Sequence, residues 1–259
     1  MGTAIAICNQ KGGVGKSTTA VNVGSYLALS KKRTLLIDLD PQGNATTSCG
    51  IQPRNLEKDT YEVLVNNLPA AEAIKKTSIE LLDVLPSRLD LAGAESRLAS
   101  VENREFVLQR ACEPLKASYE FILFDCPPSL GLLTVNALVA ADSTIIPVQC
   151  EYLALEGLSA LMQAVGLIKQ KLNPALRVGG ILLTMTDFRA NLTKEVAEEV
   201  RNFFKEQVFE TQIPRNVRLA ESPSFGKPIC LYDPNSAGAV AYQLLTKEVV
   251  EKEGAATIQ

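Results

Sequence analysis

Short apolar runs alternate with longer amphipathic stretches along the chain. Six runs rich in aliphatic residues predict strands, at residues 3–8, 34–39, 79–86, 120–125, 143–149 and 178–184. Most of them are apolar at every position rather than at alternate positions, which is typical of strands buried on both faces. The segments between and after them predict helices near residues 16–29, 60–66, 87–98, 103–113, 129–141, 153–172, 190–206 and 236–252.

This alternation of strands and helices predicts an α/β fold, with a mostly parallel sheet and helices on both of its faces. The length of 259 residues lies within the range of single α/β domains. We find no internal repeat, low-complexity tract or linker. We therefore expect one domain over residues 1–259.

The composition removes several kinds of chemistry. The chain contains no histidine, which excludes histidine bases, Ser-His-Asp triads and histidine metal ligands. Its six cysteines form no C-x-x-C pair and lie mostly in apolar segments, which favours buried thiols over zinc sites or disulfides. The net charge of −3 gives no sign of nucleic-acid binding. With no leader and no long apolar stretch, we expect a cytoplasmic protein that does not bind membranes.

One glycine-rich segment carries most of the candidate chemistry. The sequence QKGGVGKST, residues 10–18, joins the first predicted strand to the first predicted helix. In this context, glycines let backbone N–H groups approach a phosphate, and the helix N-terminus adds partial positive charge. Lys16 is placed for the β and γ phosphates and Ser17 for Mg²⁺. The residues expected to bind the nucleotide here are Lys11, Gly12, Gly13, Val14, Gly15, Lys16, Ser17 and Thr18.

Three acidic residues stand at or near the ends of predicted strands. Asp38 and Asp40 lie at the end of the second apolar run, and Asp125 ends the fourth. Ligands of such sheets bind at the carboxyl ends of the strands. Strand alternation places Asp38 and Asp40 on one side of their strand. The alternative for all three is that they only stabilise the turns that follow.

The loop departs from the common phosphate-loop pattern, since Gln10 stands at the first glycine position and Lys11 follows it. The resulting K-G-G-x-G-K-S sequence resembles the deviant Walker A loop of the ParA/MinD ATPase superfamily. Further segments resemble that superfamily and its partition branch, often called ParA or Soj: LLIDLDPQGNAT (35–46), FILFDCPPSLG (121–131), PVQCEYLALEGL (147–158), LLTMTDFRANL (182–192) and IPRNVRLAESPSFGKPI (213–229). The resemblance covers residues 3 to about 250 and implies a P-loop NTPase-like fold with ATP and Mg²⁺ as cofactors.

The resemblance also implies roles for individual residues. Lys11 would reach across a homodimer to the phosphates of ATP bound by the partner subunit. Lys16 would act on the phosphates of its own subunit, and Asp40 would orient the attacking water. Asp38 would support the hydration shell of Mg²⁺, and Asp125 would hold the ion as the Walker B acid. The alternative for Lys11 is a solvated surface lysine.

The adenine and DNA contacts come from the resemblance alone. Pro214 and Asn216 would lie against adenine, with Thr184 or Met185 nearby; the alternative is an ordinary loop. Arg189 and Arg218 match positions that bind DNA in the Soj branch. The stretch from 187 to 227 holds seven basic and seven acidic residues, so it contains no basic run. The alternative for both arginines is solvation or intramolecular ion pairing.

The function implied is that of a DNA segregation ATPase. ATP would drive homodimer formation, and the dimer would bind double-stranded DNA nonspecifically on the nucleoid. A ParB-like partner would stimulate slow hydrolysis and release the dimer. The phosphate loop begins near residue 10, with no long extension before it, so operator-specific DNA binding is not expected.

Three alternatives to this function remain open. A ParA-like ATPase could keep ATP hydrolysis and DNA binding but position a protein cargo. A MinD-like membrane ATPase fits less well, because the tail LLTKEVVEKEGAATIQ is acidic. The third is a metabolic enzyme similar to nitrogenase reductase or dethiobiotin synthetase. The cysteines show no convincing ligand arrangement for the iron–sulfur cluster that the former needs.

Overall fold

A central sheet organises the fold. The computed structural model describes residues 2–151, 154–187 and 189–256. Within these ranges the sheet has seven strands in the order β3-β4-β2-β5-β1-β6-β7, and all neighbours are parallel except β3 and β4. The strands are β1 (Thr3–Ile7), β2 (Thr34–Asp38), β3 (Lys75–Lys76), β4 (Leu82–Leu85), β5 (Phe121–Asp125), β6 (Ser143–Gln149) and β7 (Arg177–Thr184). The predicted α/β class is confirmed.

Helices cover both faces of the sheet. They are α1 (Lys16–Leu29), α2 (Asn44–Ser48), α3 (Thr60–Val65), α4 (Ala70–Ala73), α5 (Ala94–Leu98), α6 (Val107–Cys112), α7 (Leu132–Ala140), α8 (Ala154–Lys171), α9 (Asn191–Phe204), α10 (Val217–Glu221), α11 (Ile229–Tyr232) and α12 (Ala237–Ala256). In the described part of the chain, none of these helices combines the length and the apolar character that a membrane span requires.

The two faces of β1 show why its sequence is apolar throughout. Ile5 and Ile7 belong to the core that contains α1 and α12, whereas Ala4 and Ala6 belong to the core that contains α7 and α8. All four side chains are fully buried. Burial of an isoleucine side chain contributes about 1.5–3 kcal/mol. The strand ends are therefore firmly held, and they give the loops beyond them a rigid base.

The differences from the predicted elements lie mainly between β2 and β5. The run 79–86 is a strand only from Leu82, because Leu81 has a φ of +69° and residues 79–81 form a turn. The predicted helices 87–98 and 103–113 each begin as a 3₁₀ turn and become α-helical late, as α5 and α6. The helix predicted from residue 153 corresponds to α8, and Leu153 itself lies outside the described residues.

Candidate functional site

The carboxyl ends of β1, β2 and β5 face a cleft of about 340 Å³. It brings the phosphate loop together with Asp40, as the sequence predicts, and adds residues from the segment after Asp40 and from three other segments. Its lining consists of Gly12, Gly13, Gly15, Lys16, Ser17, Thr18, Asp40, Gln42, Asn44, Ser48, Pro128, Met185 and Pro223.

The backbone of the loop requires glycine at two positions. Gly13 and Gly15 have φ values of +75° and +91°, in the left-handed region that side chains disfavour. Helix α1 begins directly after Gly15, and glycine offers no side chain to cap the first amides. These N–H groups stay available to an anion, and the helix dipole adds to the attraction.

Lys16 points back into its own loop. It is only 6% exposed, and its Nζ donates a hydrogen bond to the carbonyl oxygen of Lys11 at 3.0 Å. Burial lowers the pKa of Lys16, and the nearby Asp125 carboxylate opposes that effect. A triphosphate in the cleft would restore a strong preference for the charged ammonium.

Lys11 points away from this cleft. Its side chain is 54% exposed, and its Nζ lies 2.5 Å from Oε2 of Glu151. The backbone N–H of Lys11 donates to Oδ1 of Asn9, whose amide is in turn anchored on the carbonyl of Pro147. The two lysine side chains of the loop therefore point in different directions: Lys16 faces the phosphate cleft of its own chain, and Lys11 faces solvent beside Glu151.

Asp125 is a buried carboxylate without a good hydrogen-bond partner. It is fully buried and lies in register between Ile7 of β1 and Asp38 of β2. Burial and the neighbouring Asp38 carboxylate raise the pKa of Asp125 well above the usual range. The nearby Ser17 hydroxyl lowers this pKa in part, but neither oxygen of Asp125 has a partner at hydrogen-bond distance and angle. Such a group is costly unless a cation or a proton neutralises it.

A divalent cation beside Asp125 and Ser17 fits this charge. Among the described residues, no cluster of three or more acidic or cysteine side chains could hold a metal by itself. A bound Mg²⁺ would therefore take its other ligands from phosphate oxygens and water, as is usual for this ion.

Asp38 is equally buried but is fully engaged. Its Oδ1 accepts the Asp40 N–H at 3.1 Å, and its Oδ2 accepts both the Thr46 N–H at 2.8 Å and the Thr46 hydroxyl at 2.7 Å. Burial raises the pKa of Asp38 to about 6, against the lowering effect of the bonds from Thr46. Three protein donors thus bind the Asp38 carboxylate, and its role in the Mg²⁺ hydration shell stays a prediction.

Asp40 lies beyond the strand. Because β2 ends at Asp38, strand alternation does not place Asp40, contrary to the sequence argument. The backbone instead folds so that the Asp40 N–H reaches Asp38, and the Asp40 carboxylate accepts the Gln42 N–H at 3.0 Å. Asp40 is 6% exposed and reaches the cleft, where a water molecule beside a phosphate could be oriented.

Of the residues predicted near adenine, Met185 lines the cleft, and Pro214, Asn216 and Thr184 do not. Pro214 forms a β-bridge with Thr186, next to the cleft residue Met185. Asn216 uses its Oδ1 to accept the Leu219 N–H at 3.2 Å and so caps α10. The hydroxyl of Thr184 donates a hydrogen bond to the carbonyl oxygen of Val14 at 2.9 Å and so supports the phosphate loop. The adenine contacts stay a prediction.

The two predicted DNA-binding arginines are both ion-paired. Arg189 is 91% exposed and lies 2.8 Å from Asp187, whose pKa it lowers to about 2. Arg218 contacts Glu221 at 3.0 Å and Asp233 at 3.3 Å. The described chain therefore shows the ion-paired arrangement that the sequence analysis gave as the alternative. DNA binding stays a prediction.

Five cleft residues are not among the predicted site residues: Gln42, Asn44, Ser48, Pro128 and Pro223. Three of them follow Asp40 within ten residues, so their position after a strand end was an available signal. Pro223 lies far away in the chain and enters the cleft because residues 222–226 pack on α2, a contact that only the folded structure shows.

The fold and the cleft together define a P-loop nucleotide-binding protein, with its glycine-rich loop after β1 and acidic residues at neighbouring strand ends. A family model described as an AAA domain matches residues 2–178. The sporulation initiation inhibitor protein Soj of Bacillus subtilis is 55% identical over 249 residues, which are 96% of this chain and 98% of that protein. The chromosome partitioning protein ParA of Myxococcus xanthus is 54% identical over 253 residues, 98% of this chain and 89% of that protein.

The chain belongs to the ParA/Soj family of partitioning ATPases, within the ParA/MinD superfamily that its loop motif indicated. In three dimensions it is similar to cobyrinic acid a,c-diamide synthase from Mycobacterium smegmatis with bound ADP and magnesium. The TM-score is 0.84 at 36% identity, over 95% of this chain and 93% of the other. The P-loop architecture is thus found in a solved structure as well as in the sequence motifs.

Proposed function

We propose that this chain is an ATP-dependent DNA segregation ATPase that acts as a nucleotide-dependent homodimer. The observation that carries the proposal is the opposite orientation of the two loop lysines: Lys16 faces its own cleft and Lys11 faces outward. A desolvated lysine needs a neutralising anion, and a triphosphate on a second subunit would supply it. The two relatives at 54% and 55% identity carry partitioning or Soj names, whereas the synthase is 36% identical.

In this proposal the residues of one domain, 1–259, divide the work of hydrolysis. The loop amides and Lys16 bind the phosphates of ATP, while Ser17 and Asp125 hold Mg²⁺. The ion, when bound, neutralises charge on the β and γ phosphates. Asp40 orients the attacking water, and Lys11 of the other subunit stabilises the charge that develops on the phosphates. Positioning suffices here, because phosphoryl transfer has a loose transition state.

The dimer would then bind double-stranded DNA through Arg189 and Arg218 of both subunits. Each arginine pairs with local carboxylates in the single chain, so phosphate binding would require exchange of partners. Such binding is sequence-independent and weakens steeply with salt. A ParB-like protein would stimulate slow hydrolysis and release the dimer. The protein would thus be cytoplasmic, and its DNA-bound dimer would lie on the nucleoid.

The test is binding to random-sequence duplex DNA without nucleotide, with ADP and with ATP, for the wild type and for Asp40→Ala. We expect binding with ATP only, and longer-lived binding in Asp40→Ala because hydrolysis no longer releases the dimer. Binding should fall as salt rises from 50 to 200 mM, by about 10³-fold or more for a dimer with six or more phosphate contacts.

A matched control is Glu80→Ala, which removes an exposed carboxylate before β4 and away from the cleft. It should behave as the wild type does. If ATP dimerises the protein but DNA never binds, the segregation proposal is wrong, and membranes and protein partners become the next targets to test.

A further inference from the structure

The carboxylate of Asp38 connects two parts of the cleft. One oxygen holds the backbone of Asp40, and the other holds both the backbone N–H and the hydroxyl of Thr46 in α2. All three distances lie between 2.7 and 3.1 Å, and Asp38 and Thr46 are both fully buried. A shift of Thr46 would therefore move Asp38, and through it the backbone from which Asp40 projects.

The Thr46 hydroxyl is itself fixed by a second element. While it donates to Asp38, it accepts the backbone N–H of Ser87 at 2.9 Å, from the loop that follows β4. The Thr60 hydroxyl ties the same loop to the same strand end, since it lies 3.0 Å from the carbonyl of Asp38 and 2.9 Å from that of Pro86. The Thr46 hydroxyl gives its single proton to Asp38, and one of its lone pairs accepts the Ser87 N–H, so the direction of both bonds is fixed.

The placement of α2 gives this contact a consequence in the cleft. Asn44 and Ser48, on either side of Thr46, line the cleft together with Asp40. Asp38 does not line it. The contrast with Asp125 is informative, because Asp125 keeps its oxygens unpaired. Asp38 thus has the surroundings of a structural link, and Asp125 has those of a group waiting for a cation.

We infer that Thr46 is a positioning residue for ATP hydrolysis: its hydroxyl orients Asp38, and Asp38 in turn sets the backbone that presents Asp40 to the cleft. The inference rests on the proposed ATPase function. Thr46 does not touch the cleft, so its loss should affect the rate of the chemical step much more than nucleotide binding.

The experiment compares Thr46→Val, Thr46→Ser and Thr46→Cys with the wild type in steady-state ATP hydrolysis and in binding of a fluorescent ATP analogue. Valine keeps the volume and removes the hydroxyl, serine keeps the hydroxyl, and cysteine offers only a weak donor. We expect kcat of Thr46→Val to fall roughly 10- to 100-fold, the scale of a small misplacement of a reacting group. The affinity for the analogue should stay close to that of the wild type, and Thr46→Ser should restore kcat.

A matched control is Thr246→Val on α12, where another buried threonine hydroxyl donates to a backbone carbonyl, that of Tyr242. Its kcat should equal that of the wild type. A wild-type kcat in Thr46→Val would overturn the inference, as would an equal loss in Thr246→Val. If Thr46→Val does not fold, the comparison of Thr46→Ser with Thr46→Cys tests the inference instead. Equal kcat values in these two variants would contradict a positioning role for the Thr46 hydroxyl. Absence of hydrolysis in the wild type would instead count against the proposed function.

Discussion

At the scale of single residues, the pair formed by Lys11 and Glu151 is the contact most directly opposed to the proposed dimer. Both side chains are about half exposed, at 54% and 41%. An ion pair of this kind contributes about 0.2–1 kcal/mol. It is strong enough to hold Lys11 beside its own chain and weak enough for a partner's triphosphate to displace it. Glu151 would then compete with dimerisation.

We predict that Glu151→Gln dimerises at a lower ATP concentration than the wild type. In this variant Lys11 no longer has to break an ion pair before it binds the partner's phosphates. The ATP concentration at half-maximal dimerisation should therefore fall about two- to fivefold, which corresponds to the energy of one exposed ion pair. Sedimentation velocity across an ATP titration measures the midpoint directly. Stability should change by less than about 1 kcal/mol, since both side chains remain solvated.

Glu156→Gln is the matched control for this prediction. Glu156 lies in the first turn of α8, is exposed, and borders the same groove as Lys11, but its carboxylate is not the partner of Lys11. Its midpoint should equal that of the wild type. A Glu151→Gln protein that needs more ATP than the wild type would show that Glu151 assists dimerisation rather than opposing it.

At the scale of elements, the sequence predicted the strands best where both of their faces are buried. β1, β2 and β5 have apolar side chains on two cores, so their pattern is continuous and easily recognised. The two-residue edge strand β3 has no such pattern, because its lysines lie at the edge of the sheet. Short helices such as α2 and α11 have too few residues for a helical period, and tertiary contacts hold them.

The candidate site was predictable to a similar extent. The phosphate loop and the acidic residues have local signatures, and the structure places Lys16, Ser17 and Asp40 in one cleft. Thr46 has no signature, because its importance comes from hydrogen bonds to Asp38 and to Ser87, the latter 41 residues away. Contacts of that kind depend on how loops from separate strands meet, which a local pattern does not contain.

Gly50 and Gly226 bring together the two segments that carry the cleft residues Ser48 and Pro223, and this contact predicts the effect of a single methyl group. Gly226 has a φ of +61°, and a Cβ there would lie 3.1 Å from the Cα of Gly50. Gly226→Ala should therefore destabilise the protein by about 1–2 kcal/mol through its left-handed backbone. Because Ser48 and Pro223 line the cleft beside this contact, the affinity for an ATP analogue should fall as well.

Chemical denaturation and nucleotide titration measure these two effects. Gly166→Ala is the control, because Gly166 lies inside α8 and a Cβ there would meet nothing within 4 Å. That substitution should stabilise the protein by about 0.5–1 kcal/mol and leave nucleotide affinity unchanged. A Gly226→Ala protein as stable as the wild type would show that the left-handed backbone at Gly226 does not constrain this position.

At the scale of the whole molecule, the proposed DNA binding cannot come from net charge, which is −3. It must come from a local arrangement of cations, and the single chain presents Arg189 and Arg218 already paired with carboxylates. Two copies of each arginine on one face of a dimer would double the number of phosphate contacts, and the affinity would rise steeply with that number. Dimerisation would thus switch DNA binding on.

We therefore predict that Arg218→Glu abolishes DNA binding while ATP-dependent dimerisation persists. The reversal adds a carboxylate beside Glu221 and Asp233, so Arg218→Gln serves as a second variant that removes the charge without adding repulsion. With two arginines lost per dimer, the slope of log affinity against log salt should fall by about 2 in Arg218→Gln.

Arg97→Glu is the matched control, since Arg97 is exposed on α5, which packs on the opposite face of the sheet from α10. Binding by Arg218→Glu at moderate salt, or equal loss in Arg97→Glu, would contradict a specific role for Arg218.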